Sequence, residues 1–226
     1  METIAPGLAK RLENSRIRRD FILASAAHLI EENGIESLTL NKLAERSGVT
    51  VPTIQNLIGK KAEVLDVLVV ETMERVTTVV SQLDLSEPVK FVLTLSDSLI
   101  GLLQSDEKLF KAAFMAGERT GFFEHKSESG IYKRSLNVAE IVCAQARKTG
   151  KLEGCLDIEQ LAKSLFAVQR LARQDWMNGY SSLEEYRYQL KNGMLLVLCS
   201  DATASFKTEL ISEIKNLQTN QSNAAS

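Results

Sequence analysis

Residues 39–65 read TLNKLAERSGVTVPTIQNLIGKKAEVL, and their punctuation sets the architecture of the N-terminal region. A Thr/Ser/Asp/Asn residue ahead of an apolar-periodic run starts a helix, and a glycine behind it stops one. Thr39 is placed to cap a short helix whose Leu40, Leu43 and Ala44 face inward, with Gly48 as its stop. Thr50 is placed to cap the next. Pro52 is tolerated there because a first-turn amide has no intrahelical acceptor. Gly59 closes this helix, and another begins near Lys60 or Lys61. The spacing therefore predicts two short helices separated by a tight turn, with Ile54, Leu57 and Ile58 inward and Val51, Thr53, Gln55 and Asn56 outward.

Working outward, nearly every segment has helical spacing and convincing two-residue alternation is absent, so the expected class is all-α. Ile22, Ala26, Leu29 and Ile30 mark a helix over about residues 16–33, closed by Gly34. The helix opening at Lys60 or Lys61 continues to about Leu83. Pro88 suits the first turn of a helix through Phe91, Leu95, Leu99 and Leu102. Ser105 is placed to cap the next, and a glycine-containing break covers residues 117–130. Helices then follow over about 131–149, 158–178 and 183–200, with a weaker amphipathic one through Phe206, Leu210 and Leu217. The terminal QTNQSNAAS is polar, and disorder is expected there. No internal repeat is visible.

Composition excludes several function classes. The chain has 226 residues, a formal net charge of -2, 44% hydrophobic and 25% charged residues, ordinary values for a globular protein. The longest apolar run, MLLVLC at 194–199, is too short to span a bilayer, and the first residues have no apolar signal core. A cytoplasmic location is expected. Cys143, Cys155 and Cys199 form no close pair and read as buried, reduced thiols. His28 and His125 have no metal-ligand spacing, so no metal and no cofactor are expected, and each reads as a partly buried or surface helix residue. No nucleophile motif, phosphate loop or dinucleotide fingerprint occurs, which argues against an enzyme.

Two helices joined by a glycine-containing turn form the helix-turn-helix unit, whose second helix enters the DNA major groove. Here that helix would be VPTIQNL. Gln and Asn pair an acceptor with a donor, matching adenine N6 and N7, and a threonine methyl can touch that of thymine. The competing reading is a plain solvated polar face, and spacing alone leaves the two level. Net charge does not decide between them, because residues 1–65 carry nine Lys/Arg against eight Asp/Glu. Clustering is more telling: Lys10, Arg11, Arg16, Arg18 and Arg19 precede or open the first helix, and Lys60 and Lys61 open the fourth.

The stretches RRDFILASAAHLIEENGIESLTLNKLAERSGVTVPTIQ and GKKAEVL resemble the DNA-binding region of the tetracycline-repressor (TetR) family. Ile22, Ala26, Gly34, Thr39, Leu43, Ala44, Gly48, Val49, Thr53 and Lys61 fall on the family pattern in order. A weaker resemblance links DIEQLAKSLFAVQRLARQDWMNG and LKNGMLLVL to the last two helices of the family's regulatory domain. The resemblance implies a two-domain helical homodimer that binds a near-palindromic operator, with a small-molecule effector taken up by the larger domain. The domains expected are a flexible basic arm at 1–15, a helix-turn-helix domain at 16–65, a helical ligand-binding and dimerisation domain at 66–218, and a disordered tail at 219–226. By the same resemblance Arg18, Arg19, Thr39, Thr50, Val51, Pro52, Thr53, Gln55, Asn56, Lys60 and Lys61 form the DNA contact set. Three departures stand out. Gln55 replaces a common tyrosine, Leu57 and Ile58 replace aromatics, and Lys60 replaces a common capping serine.

One short recognition helix covers few base pairs, so two copies are expected on one duplex. Leu161, Leu165, Val168 and Ala172, with Tyr186, Leu190, Gly193, Met194 and Val197, give two apolar stripes for a four-helix interface, or equally an intrachain core. Phe110, Phe114, Met115, Phe122, Phe123, Cys143, Phe166 and Trp176 could line an apolar cavity. Arg170 and Arg173 are available to an anionic group of a hydrophobic effector. The alternative function is a DNA-bound scaffold that acts on a protein partner without an inducer. A third is a helical enzyme or ligand carrier whose helix-turn-helix is vestigial.

Overall fold

The computed structural model describes residues 6–124 and 131–224. It is all-helical: α1 (Pro6–Asn33), α2 (Leu40–Ser47), α3 (Val51–Leu57), α4 (Lys61–Ser81), α5 (Pro88–Ser105), α6 (Glu107–Thr120), α7 (Ile131–Lys148), α8 (Ile158–Met177), α9 (Leu183–Cys199) and α10 (Ala204–Ala224). Short 3-10 turns lie at Ile35–Ser37 and Phe122–Glu124. None of the described helices is long and apolar enough to cross a membrane.

The helix starts follow the capping chemistry. Thr39, Thr50, Asp157 and Ser182 each accept a hydrogen bond from a first-turn amide, and Ser182 with Glu185 forms a reciprocal capping box. Asp106 rather than Ser105 caps α6, because the carboxylate accepts from Leu109 N while the Ser105 hydroxyl turns back to Leu102 O. Gly48 closes α2 at φ 63°, a left-handed conformation in which a side chain would be strained.

Both ends of the chain differ from expectation. Helix α1 begins at Pro6, so residues 6–15 are helical and not an arm; proline favours a first helical turn, and no glycine interrupts the chain from Leu8 to Asn33. Helix α10 runs to Ala224, so residues 219–224 are helical and not a disordered tail. Buried Phe206, Leu210 and Ile214 anchor it, and no glycine or proline breaks it. Residues 1–5 of the expected arm, 225–226 of the expected tail, and His125 lie outside the described residues.

The chain forms two compact units, Met1–Arg75 with Asp106–Phe122, and Val76–Ser105 with Phe123–Ser226. The first differs from the expected head at 16–65 by including α6 and the first part of α4. Small residues explain this. Ala112, Ala113, Ala116 and Gly117 are buried on α6 and let it approach α1, with Lys108–Glu31 and Arg119–Glu36 ion pairs at 3.3 and 2.7 Å along the seam. Arg75 lies over the Phe110 ring at 4.7 Å within the same unit. The core of the head is Ile22, Ala26, Ile30, Leu38, Leu43 and Ile54. Ser25, Ser47 and Thr72 are tolerated in this interior because each hydroxyl donates to the carbonyl four residues earlier.

In the second unit α9 packs on α5, α8 and α10, and α7 packs on α8. Trp176 and Tyr186 are fully buried and stacked at 5.9 Å. The connector after α7 is held by a buried acid. Asp201 accepts from Gly154 N at 3.1 Å, Cys155 N at 2.9 Å and Leu156 N at 3.1 Å, with Arg147 Nη2 at 3.7 Å. A carboxylate is stable in such a place only because its oxygens are filled by donors. Cys143 is buried, Cys155 exposed and Cys199 half-buried, all unbridged, so burial of all three thiols does not hold.

Candidate nucleic-acid interface

The turn between α2 and α3 is built by backbone hydrogen bonds from Gly48 N to Glu45 O and Val49 N to Ala44 O. It delivers Thr50 as the cap of α3. Thr50 Oγ1 accepts from Thr53 N at 3.4 Å and lies 2.9 Å from Thr53 Oγ1. Ile54 is completely buried and fixes the rotation of α3. That rotation exposes Pro52, Gln55 and Asn56 and leaves Val51 and Thr53 half-buried. Leu57 and Ile58, expected inside, are half-exposed, because α3 ends at Leu57 and its last turn leaves the core. The amides of Gln55 and Asn56 make no hydrogen bond among the described residues, which leaves them free for an external partner.

Around this helix the cations differ in availability. Arg18 and Lys60 are exposed. Lys61 is half-buried and donates from Nζ to Ile35 O at 3.3 Å, so part of its donor capacity is spent inside the head. Arg19 is engaged by Glu71 of α4, which neutralises it. Arg46 and Glu32 form a two-pronged pair at 2.6 and 2.8 Å, and this hydrogen bonding pulls the Glu32 carboxyl below its usual range. Lys42, not singled out from sequence, is exposed in the first turn of α2, where its own amide donates to the Thr39 cap at 3.2 Å. Its signal was available: position three after a capping threonine points back toward the cap.

The expected dimer residues fare differently. Leu161, Leu165, Ala172, Tyr186, Leu190 and Met194 are buried inside their own chain, because the apolar stripes of α8 and α9 face each other and the rest of the unit. Val168, Gly193 and Val197 are half-buried. Gly193 serves the α8–α9 approach within the chain, since a Cβ there would sit 2.7 Å from Val168 Cγ1. The exposed apolar residues on this pair are Leu171, 64% exposed, and Leu196, 52% exposed, neither read from sequence. On α8, Gln160, Ser164, Ala167 and Leu171 share one outer face at helical spacing. On α9, Gln189, Asn192 and Leu196 do the same, and Gln189 Oε1 and Asn192 Oδ1 are enclosed without a hydrogen-bond partner. A groove of about 270 Å³ lined by Leu156, Gln160, Leu161, Ser164, Val197 and Ser200 adjoins these faces.

The expected cavity residues are not brought together in one unit. Phe110, Phe114, Met115 and Phe122 belong to the first unit, and Phe123, Cys143, Phe166, Arg170 and Trp176 to the second. None of them lines the groove. Arg170 is exposed, whereas Arg173 is buried and lies over the Phe123 ring at 4.9 Å. Phe166 meets Tyr132 edge-on at 5.2 Å, and Gln169 Nε2 donates to the Tyr186 hydroxyl at 3.3 Å.

Residues 22–66 match the family model described as bacterial regulatory proteins, tetR family. Over 61 residues the chain is 36% identical to the class D tetracycline repressor protein of Escherichia coli and to the class H protein of Photobacterium damsela subsp. piscicida. That match covers 27% of this chain and 28% of each relative, well under two thirds of their length. Among solved structures, the fold is similar to that of the TetR family protein CprB from S. coelicolor A3(2), with TM-score 0.67 and 13% identity over 88% of this chain and 97% of that one. It is also similar to a gamma-butyrolactone receptor (ArpA-like), with TM-score 0.65 and 13% identity over 92% and 98%. SmeT, the repressor of a Stenotrophomonas maltophilia efflux pump, gives 0.62 and 19% over 83% and 92%.

Proposed function

We propose, from the membership of its N-terminal segment in the tetR family of bacterial regulatory proteins, that the chain is a homodimeric transcriptional repressor reading a palindromic operator. One observation carries the reading: Gln55 and Asn56 stand exposed and unbonded on a capped helix whose rotation is locked by buried Ile54. Their paired donor and acceptor atoms suit adenine edges, so the half-site favours A·T pairs. Thr39, Thr50, Thr53, Val51 and Pro52 frame the groove contact, and Arg18, Lys42, Lys60 and Lys61 hold phosphates. Arg19 serves instead as a strut to Glu71.

The second copy docks on the outer faces of α8 and α9, around Leu171 and Leu196. The exposure of Leu171 and Leu196, 64% and 52%, on these faces supports this, since exposed apolar surface of this kind marks protein–protein contacts. A small, mainly hydrophobic effector acts in the second unit. Its buried cation is Arg173 beside Phe123, Trp176 and Tyr186, and Arg170 has no part in it. That one structural relative is a gamma-butyrolactone receptor supports a ligand-responsive reading.

Selection of sites from a random duplex pool tests the proposal. Wild type should return a two-fold symmetric motif with half-sites one helical turn apart. Gln55→Ala should return a motif relaxed at one position per half-site, at a cost of about 1–3 kcal/mol. Recovery of the same motif from both proteins would refute the assignment of Gln55.

A further inference from the structure

Because α1 begins at Pro6, the cations ahead of the head are arranged on a helix, and their order on it is informative. Lys10, Asn14, Ile17, Arg18 and Phe21 follow one another at intervals of four, three, one and three, which places them on a single face; Arg11 borders it, seven residues before Arg18. Continued along the helix, the same face carries Ser25 and Glu32. Glu32 is bonded to Arg46 of α2, so the stripe flanks the buried face of Ile22, Ala26 and Ile30 against which the helix-turn-helix is packed. No acidic residue lies on the stripe between Lys10 and Phe21. Glu13 and Asp20 sit on its flank, and Glu13 is taken up by Arg16 at 2.9 Å. Lys10, Arg11 and Arg18 have no carboxylate partner among the described residues. Ile17 and Phe21, 57% and 56% exposed, complete the stripe.

We propose that this stripe is a second nucleic-acid contact, resting on the phosphates and sugars of the same duplex beyond the bases met by α3. The inference depends on the reading of the head as a DNA reader and extends its footprint. Charge selects the occupant: three free cations without an acid fit a polyanion. Shape agrees. Lys10 and Phe21 are about 16 Å apart along the axis at 1.5 Å per residue, enough to follow one groove wall. Ile17 and Phe21 lie between the cations, where deoxyribose faces stand between phosphates.

The test compares wild type with the K10Q/R11Q variant on the selected operator, leaving Arg18 to its half-site phosphate. One duplex is trimmed at the half-sites and the other carries ten added base pairs at each end. Two phosphate contacts per protomer, four per dimer, predict that on the long duplex wild type loses on the order of 150-fold more affinity than the variant between 50 and 200 mM salt. On the trimmed duplex the two proteins should agree. A second variant, I17S/F21S, should weaken binding to the long duplex only. Equal salt slopes on the long duplex overturn the proposal, as does an equal deficit on both duplexes. Tighter binding of wild type to phosphatidylserine vesicles than to the long duplex also overturns it and assigns the stripe to a lipid surface. Selection of a motif by wild type is scored separately, so base reading by α3 can succeed where this contact fails. A pool that yields no motif removes the premise and both readings together.

Discussion

Asp201 offers a sharp quantitative prediction. Its carboxylate is wholly enclosed and receives three backbone N–H groups at 2.9–3.1 Å from residues 154–156, with Arg147 alongside. Hydrogen bonds to a charged acceptor contribute about 1.5–3 kcal/mol each, a gross term offset by desolvation of the carboxylate. Asp201→Ala strands three amides and part of an arginine at once, the situation in which removing one partner of a buried pair costs about 3–5 kcal/mol. Against a typical stability of about 5–15 kcal/mol this is a large fraction. The corresponding midpoint shift is roughly 6–20 °C. Asp201→Asn retains one acceptor oxygen but turns an NH2 group toward amide donors, so it should fall between alanine and wild type. Trp176 is the chain's one tryptophan and is buried in the same unit, so urea unfolding followed by its fluorescence reports on the right region. An alanine variant within 1 kcal/mol of wild type would show that the connector does not depend on this acid.

Two further outcomes follow from burial. Replacing Leu171 or Leu196 by Glu should convert the proposed dimer to monomer in sedimentation and lower operator affinity, with little change in Trp176 fluorescence; a dimer that persists moves the interface elsewhere. Burial pushes the Cys143 thiol up to about 11 and the Tyr186 phenol up to about 12. Both groups are neutral when protonated, so the folded state holds protons that the unfolded state releases. Their contribution is therefore intact below about pH 9 and is lost as pH rises through 9–12. Cys143→Ala should remove the 9–11 part of this alkaline decline, measured by urea midpoint against pH, and an unchanged profile would reject that cause.

Local chemistry in the sequence determined where the head's helices start and stop. Thr39, Thr50, Gly48 and Pro52 act over a turn or less, through caps and backbone geometry that no distant residue needs to supply. The three-residue rotation placing Ile54 inside and Gln55 with Asn56 outside was legible for the same reason. Periodicity also showed that α8 and α9 carry apolar stripes, but a stripe states only that something covers it. Tertiary packing decided that Leu161, Leu165, Tyr186 and Leu190 meet their own chain, leaving Leu171 and Leu196 outside. It also assigned α6 to the head through small residues facing α1, pulled Lys61 and Arg19 into bonds with Ile35 and Glu71, and buried Arg173 while leaving Arg170 exposed. Each depends on which element stands opposite, a relation between residues far apart in the chain that one-dimensional spacing does not encode.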